Sequence, residues 1–131
     1  MEKRVFENDY VSFHFDNGIL YGKYKVSTID LATAKIATDF RKEITGGVKV
    51  PAVADISCVK HVDKSTRTYF SSVEAGKDLI ALAIILSNPV TRMIGNFFLK
   101  FHRPEYPFRF FTDLEQATLW IEEFTENYAA G

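Results

Sequence analysis

The run Leu79-Ile-Ala-Leu-Ala-Ile-Ile-Leu86 places the tightest limit on how this chain can fold. Eight apolar residues are too few for a membrane span, which needs about 20. They are also too uniform for a strand with one wet face. A segment of this kind is how a central strand of a parallel sheet reads when helices cover both of its faces. The remaining sequence must therefore supply neighbouring strands and covering helices. Its 131 residues are enough for one domain, and 1–131 reads as a single unit. A mix of 47% apolar and 25% charged residues is that of a folded chain rather than a disordered one.

Local signals divide the chain into alternating elements. Asn17-Gly18 supplies the two positive-φ residues of a type I′ turn and predicts a hairpin. That turn sets Phe15 opposite Leu20, Phe13 opposite Gly22 and Val11 opposite Tyr24 on an apolar side. His14 opposite Tyr21 and Ser12 opposite Lys23 form a wetter side. Asp30 as N-cap and Gly46-Gly47 as stop frame a helix over 31–45, with Ile36, Ala37, Phe40 and Ile44 along one stripe. Residues 51–56 read as a short strand. A second helix starts near 63–65 and runs to about Gly76. Asn88 and Pro89 open a third helix with a stripe of Val90, Met93, Ile94, Phe97 and Phe101. Residues 108–111 form a last strand. Thr112-Asp-Leu-Glu115 is a capping box for a final helix whose inner face holds Leu114, Ala117, Trp120, Ile121, Phe124 and Tyr128. The order ββαβαβαβα predicts an α/β domain with a mixed, mostly parallel five-stranded sheet and four helices.

The chemistry-bearing residues are sparse. One cysteine, Cys58, excludes a disulfide framework and a cysteine-rich zinc site. His14, His61 and His102 have no metal-ligand spacing, so neither a metal nor a cofactor is expected. There is no P-loop, no G-x-S-x-G and no G-x-G-x-x-G. An enzyme would have to bring Cys58 and His61 together with Asp55 or Asp63, and no signature surrounds them. The chain reads as non-enzymatic. A net charge of −1 excludes a general nucleic-acid footprint. The N-terminal stretch has no apolar signal-peptide core, so a cytoplasmic location is expected.

Two regions stand out as contact candidates. Ser65 lies at the start of the second helix, where it either caps the helix or accepts a phosphate that changes the surface charge. Seven of the nineteen aromatics lie between Phe97 and Phe111. Most of these suit a core. Phe97, Phe98 and Phe101 beside Lys100 and Arg103 also suit an oligomer contact or a lipid surface.

The element order resembles that of the STAS domain, the fold of bacterial anti-sigma-factor antagonists. Those proteins carry an Asp-Ser-Ser-Gly-like turn before the second helix. Asp63-Lys64-Ser65-Thr66 lies at similar spacing, with Asp63 and Ser65 matching the aspartate and the phosphorylated serine, while Lys64 and Thr66 depart from the pattern. A closer resemblance is to small bacterial proteins of the STAS-like group, related to both STAS and CRAL-TRIO lipid-binding domains. It is carried by Arg67, Ala81-Leu-Ala-Ile-Ile-Leu-Ser87, Ile94-Gly-Asn-Phe-Phe98, Pro104, Pro107-Phe-Arg-Phe-Phe111 and Glu115-Gln-Ala-Thr-Leu-Trp-Ile121. The resemblance implies a regulatory, protein-interacting module without enzymatic activity, with Asp63, Ser65 and Arg67 as switch candidates. Its partner would be another protein or a second copy of this chain. The alternative expectation is binding of an apolar ligand or membrane surface through the aromatic third helix.

Overall fold

Asn17 (φ 53°) and Gly18 (φ 81°) both adopt left-handed backbone, and the hairpin they form has the predicted register. The structure, a computed structural model, describes residues 4–86, 89, 92, 93 and 105–130. Among these the order is β1 (Val5–Glu7), β2 (Val11–Asp16), β3 (Ile19–Tyr24), β4 (Thr28–Ile29), α1 (Leu31–Thr45), β5 (Val50–Asp55), β6 (His61–Val62), α2 (Lys64–Phe70), α3 (Val73–Gly76), β7 (Leu79–Ile85), β8 (Phe108–Phe111) and α4 (Leu114–Ala130).

One sheet runs β1-β2-β3-β5-β7-β8. The β1–β2 and β2–β3 pairs are antiparallel; β3–β5, β5–β7 and β7–β8 are parallel. The fold is α/β with a mostly parallel mixed sheet, but the main sheet has six strands where five are expected. The added strand, β1, is three residues long and pairs through Val5, Phe6 and Glu7 with His14, Phe13 and Ser12. Asn8 makes the turn between them, its side chain accepting from the Tyr10 and Val11 N–H groups at 2.8 and 2.9 Å. A separate pair, β4–β6, joins Thr28 and Ile29 to His61 and Val62. Elements this short carry no readable period.

Each face of the sheet has its own core. Val11, Phe13, Leu20, Val50 and Ala52 pack under Ala37 of α1. On the other face Ile19, Val53, Ala81, Ala83 and Ile85 pack under Ala117 and Ile121 of α4. β7 is therefore covered on both faces, fully on the side of Ala81, Ala83 and Ile85 and partly on the side of Leu82 and Ile84. Three alanines, Ala81, Ala83 and Ala117, are fully buried at this contact, and their small side chains let α4 sit close to the strands.

The helices differ from expectation in detail. The buried face of α1 is Thr33, Ala34, Ala37, Thr38, Arg41 and Thr45, while Ile36 is 43% exposed. The apolar stripe is thus turned toward one edge, with Phe40 and Ile44 only packed against the core. The expected second helix is two, α2 and α3, parted at Ser71-Ser72 where Ser72 caps α3 by accepting from the Ala75 N–H at 3.2 Å. Asp113, not Thr112, caps α4, accepting from the Gln116 N–H at 2.8 Å, and Leu114 is exposed. The expected third helix falls almost wholly outside the described residues. Among those described, no helix is long and apolar enough to cross a membrane.

These two faces predict a sharp contrast. Ile121→Ala, at a fully buried site, should lower the unfolding free energy by roughly 2–5 kcal/mol. Ile36→Ala should change it by no more than about 0.5 kcal/mol. Urea denaturation of the two variants checks the orientation of both helices.

Candidate functional site

The small residues of α1 leave a hollow over the sheet. Ala37 and Thr38 face Ala52 and Gly22, where bulkier side chains would meet. At Gly22 the missing side chain is replaced by a neighbour: a Cβ there would lie 2.6 Å from the Phe13 ring. What remains is a cavity of about 150 Å³. Its described floor is Phe13, Leu20, Ala52, Leu82, Ile84 and Phe108 from five strands, and Phe70 and Ala75 of α2 and α3 close one side. Its apolar part is large enough for a molecule about the size of benzene.

One end of the cavity is polar. Arg41, 7% exposed, reaches inward from α1 and donates to the carbonyls of Lys77 at 2.9 Å and Ala75 at 2.7 Å. It ties α1 to the end of α3 and also lines the cavity. Burial pulls its pKa below the usual arginine value, an effect opposed by Tyr106, Tyr24 and Asp78. Burial pushes the Tyr106 phenol up to about 12 and raises that of Tyr24 well above its ordinary value, with Arg41 acting against both shifts. The Tyr106 ring packs against Gly76, where a Cβ would come within 2.5 Å of it. Tyr106 also borders a surface cleft formed with Lys49, Lys77, Asp78 and Glu105.

The predicted switch residues share the first turn of α2. Asp63 is the N-cap: one carboxylate oxygen accepts from the Thr66 N–H at 2.9 Å, the Thr66 hydroxyl at 2.6 Å and the Ser65 hydroxyl at 3.0 Å. Ser65 is exposed and does not cap the helix. The Thr66 hydroxyl, then its N–H, then Ser65 hold the Asp63 carboxyl below its ordinary pKa of 3.8. Arg67 points back to the Val62 carbonyl and lines the cavity. Asp63, Ser65 and Arg67 are therefore brought together, with Arg67 on the cavity side. The lipid or interface candidates Phe97, Phe98, Lys100, Phe101 and Arg103 lie outside the described residues.

The other candidates do not converge. Cys58 and His61 are exposed. Asp55 closes a local turn by accepting from the N–H and hydroxyl of Ser57. His14 stacks on Tyr21 at 5.1 Å. Among the described residues no group of three or more His, Cys, Asp or Glu side chains is placed to hold a metal ion. Sequence reasoning missed Arg41 and Tyr106. The available signal for Arg41 was its place four residues after Ala37 on the small-residue face of α1.

The mixed sheet, its helical cover and the order of its strands define a SpoIIAA-like, that is STAS-like, α/β domain. The chain belongs to the family described as Domain of unknown function (DUF7793), whose model matches residues 13–125. It is similar in structure to a protein from the DUF3478 family with a SpoIIAA-like fold from Shewanella loihica PV-4. The TM-score is 0.57 at 19% identity, with 92% of each chain covered. That likeness establishes the fold. A search of curated proteins finds no match.

The Asp63 cap predicts an acid-sensitive helix start. Its lowered pKa means its stabilisation is complete above the ordinary carboxyl value and is lost as pH falls through the lower folded-state value. Asp63→Asn should have a lower urea midpoint than wild type at pH 7, and the gap should close as the pH falls through the lowered folded-state value of this carboxyl. A gap that persisted unchanged in acid would mean that the carboxylate charge plays no part.

Proposed function

We propose that this protein is a non-catalytic binding module that carries a small, largely apolar molecule in the cavity between α1 and the sheet. The observation that carries this reading is the cavity itself: about 150 Å³ with an almost wholly apolar wall. The expected route to apolar-ligand binding ran through the aromatic third helix. The reading here rests instead on Phe13, Leu20, Leu82 and Phe108 of the sheet. Toluene should bind and raise the melting temperature by about 3 °C or more at saturation. Ala52→Leu extends a side chain into the void and should abolish that rise while leaving the fold intact. No response of the wild-type protein to toluene, benzene or xenon would remove the reading.

A second reading, regulation through the start of α2, is favoured by the exposed Ser65 hydroxyl 3.0 Å from the Asp63 carboxylate. A phosphate on Ser65 would set two like charges side by side and take the serine's hydrogen bond from the cap. This is the role of a STAS-like interaction module, with a protein or a second copy of the chain as partner. Protein isolated from its native host should then carry a phosphate at Ser65 by intact-mass and fragment analysis. Ser65→Asp should unfold at lower temperature than Ser65→Ala. Unmodified protein under all growth conditions, with equal stability of both variants, would rule it out.

A further inference from the structure

The polar end of the cavity selects the ligand's head, a step that rests on the proposed apolar-binding reading. Among the described lining residues there are two arginines, Arg41 and Arg67, and no carboxylate. Arg41 is more than nine-tenths buried; Asp78 is within its electrostatic reach, but no acidic side chain among the described residues lies within ion-pair distance of it. Among the described residues its hydrogen bonds to Lys77 and Ala75 both go to neutral carbonyls. A guanidinium has further N–H donors beyond those two, and a cation buried against apolar walls is costly until an anion meets it. Tyr24 and Tyr106 line the same cavity and interact electrostatically with this guanidinium. The Tyr69 hydroxyl, also in the electrostatic reach of Arg41, is buried without a partner.

We infer that the cavity takes a small amphiphile with an anionic head, a monocarboxylate on a single ring or a short alkyl body. Its body lies on Phe13, Leu20, Leu82 and Phe108. Its carboxylate meets the Arg41 guanidinium and accepts from the hydroxyls of Tyr24 and Tyr106. The volume sets the size of the body: a single six-membered ring fits where a long acyl chain does not. The arginine sets the charge, because hydrogen bonds between ionised partners are about twice as strong as neutral ones.

The test compares three ligands with one ring: benzoate, benzyl alcohol and toluene, titrated calorimetrically into the intact protein at pH 7. Benzoate should bind at least tenfold tighter than benzyl alcohol. Tyr24→Phe combined with Tyr106→Phe keeps both rings and should cut that preference at least threefold, while toluene binding stays within twofold of wild type. Equal affinity for benzoate and the two neutral compounds would overturn the anionic-head inference and leave apolar binding standing. An unchanged preference in the double variant would overturn the assignment of the tyrosines. Failure of all three compounds to bind would overturn the inference together with the reading beneath it. Benzoate binding that the Ala52→Leu change does not weaken would place the anion outside the cavity and likewise overturn the proposal.

Discussion

Two-sided burial of the β5–β7 pair is the constraint from which the rest of the molecule follows. A strand such as Leu79–Ile85 exposes apolar side chains in both directions, so it is stable only between two layers. Parallel pairing with Val50–Asp55 then requires a crossover, and α2 and α3 provide one. α1 covers the face of Val50 and Ala52, while α4 covers the face of Val53, Ala81 and Ala83. The hairpin extends the sheet on one side, and β8 extends it on the other. Nothing in this scheme demands a reaction centre. The two layers meet the sheet in different ways: α4 presses alanine on alanine, whereas α1 brings an arginine down over the strands.

That asymmetry explains the hollow. Small side chains on two facing surfaces let them approach until the void closes, as under α4. On the α1 side approach is limited, because Arg41 must reach the carbonyls of Ala75 and Lys77 and the Phe13 ring already occupies the space over Gly22. The hollow that results has a buried cation at one end.

What could be read from the sequence was local or strongly periodic. Asn17-Gly18 fixes a register because only one turn type uses two positive-φ residues in a row, and that register is observed pair for pair. Leu79–Leu86 admits one environment, and the structure provides it. Gly46 ends α1 as read, in a left-handed conformation with its N–H on the Lys42 carbonyl. β1, β4 and β6 were illegible because two or three residues cannot show alternation. The face of α1 was misjudged because large apolar residues outweigh small ones in a periodicity argument. Ile36 drew the stripe outward, while Ala34, Ala37 and Thr38 carried the contact. The cavity was least legible of all. It is made of small side chains (Ala37, Ala52) and of an arginine whose type argues for the surface. Only tertiary structure brings Tyr106 from beyond β7 to lie on Gly76.

The two proposed activities meet on a single element. α2 begins at the Asp63 cap, carries Ser65 on its outer turn, and sends Arg67 and Phe70 to the cavity wall within its seven residues. A ligand packed against Phe70 and Arg67 would stabilise the ordered form of this helix. A phosphate at Ser65 would weaken the same form by crowding the carboxylate that caps it. Two events that bias one element in opposite directions are coupled, and the coupling must be reciprocal: occupancy would oppose modification as strongly as modification would oppose occupancy. A helix of only two turns has little internal cooperativity to absorb either event locally. On this reading a binding cavity and a surface switch are two ends of one short lever rather than competing accounts of the same fold.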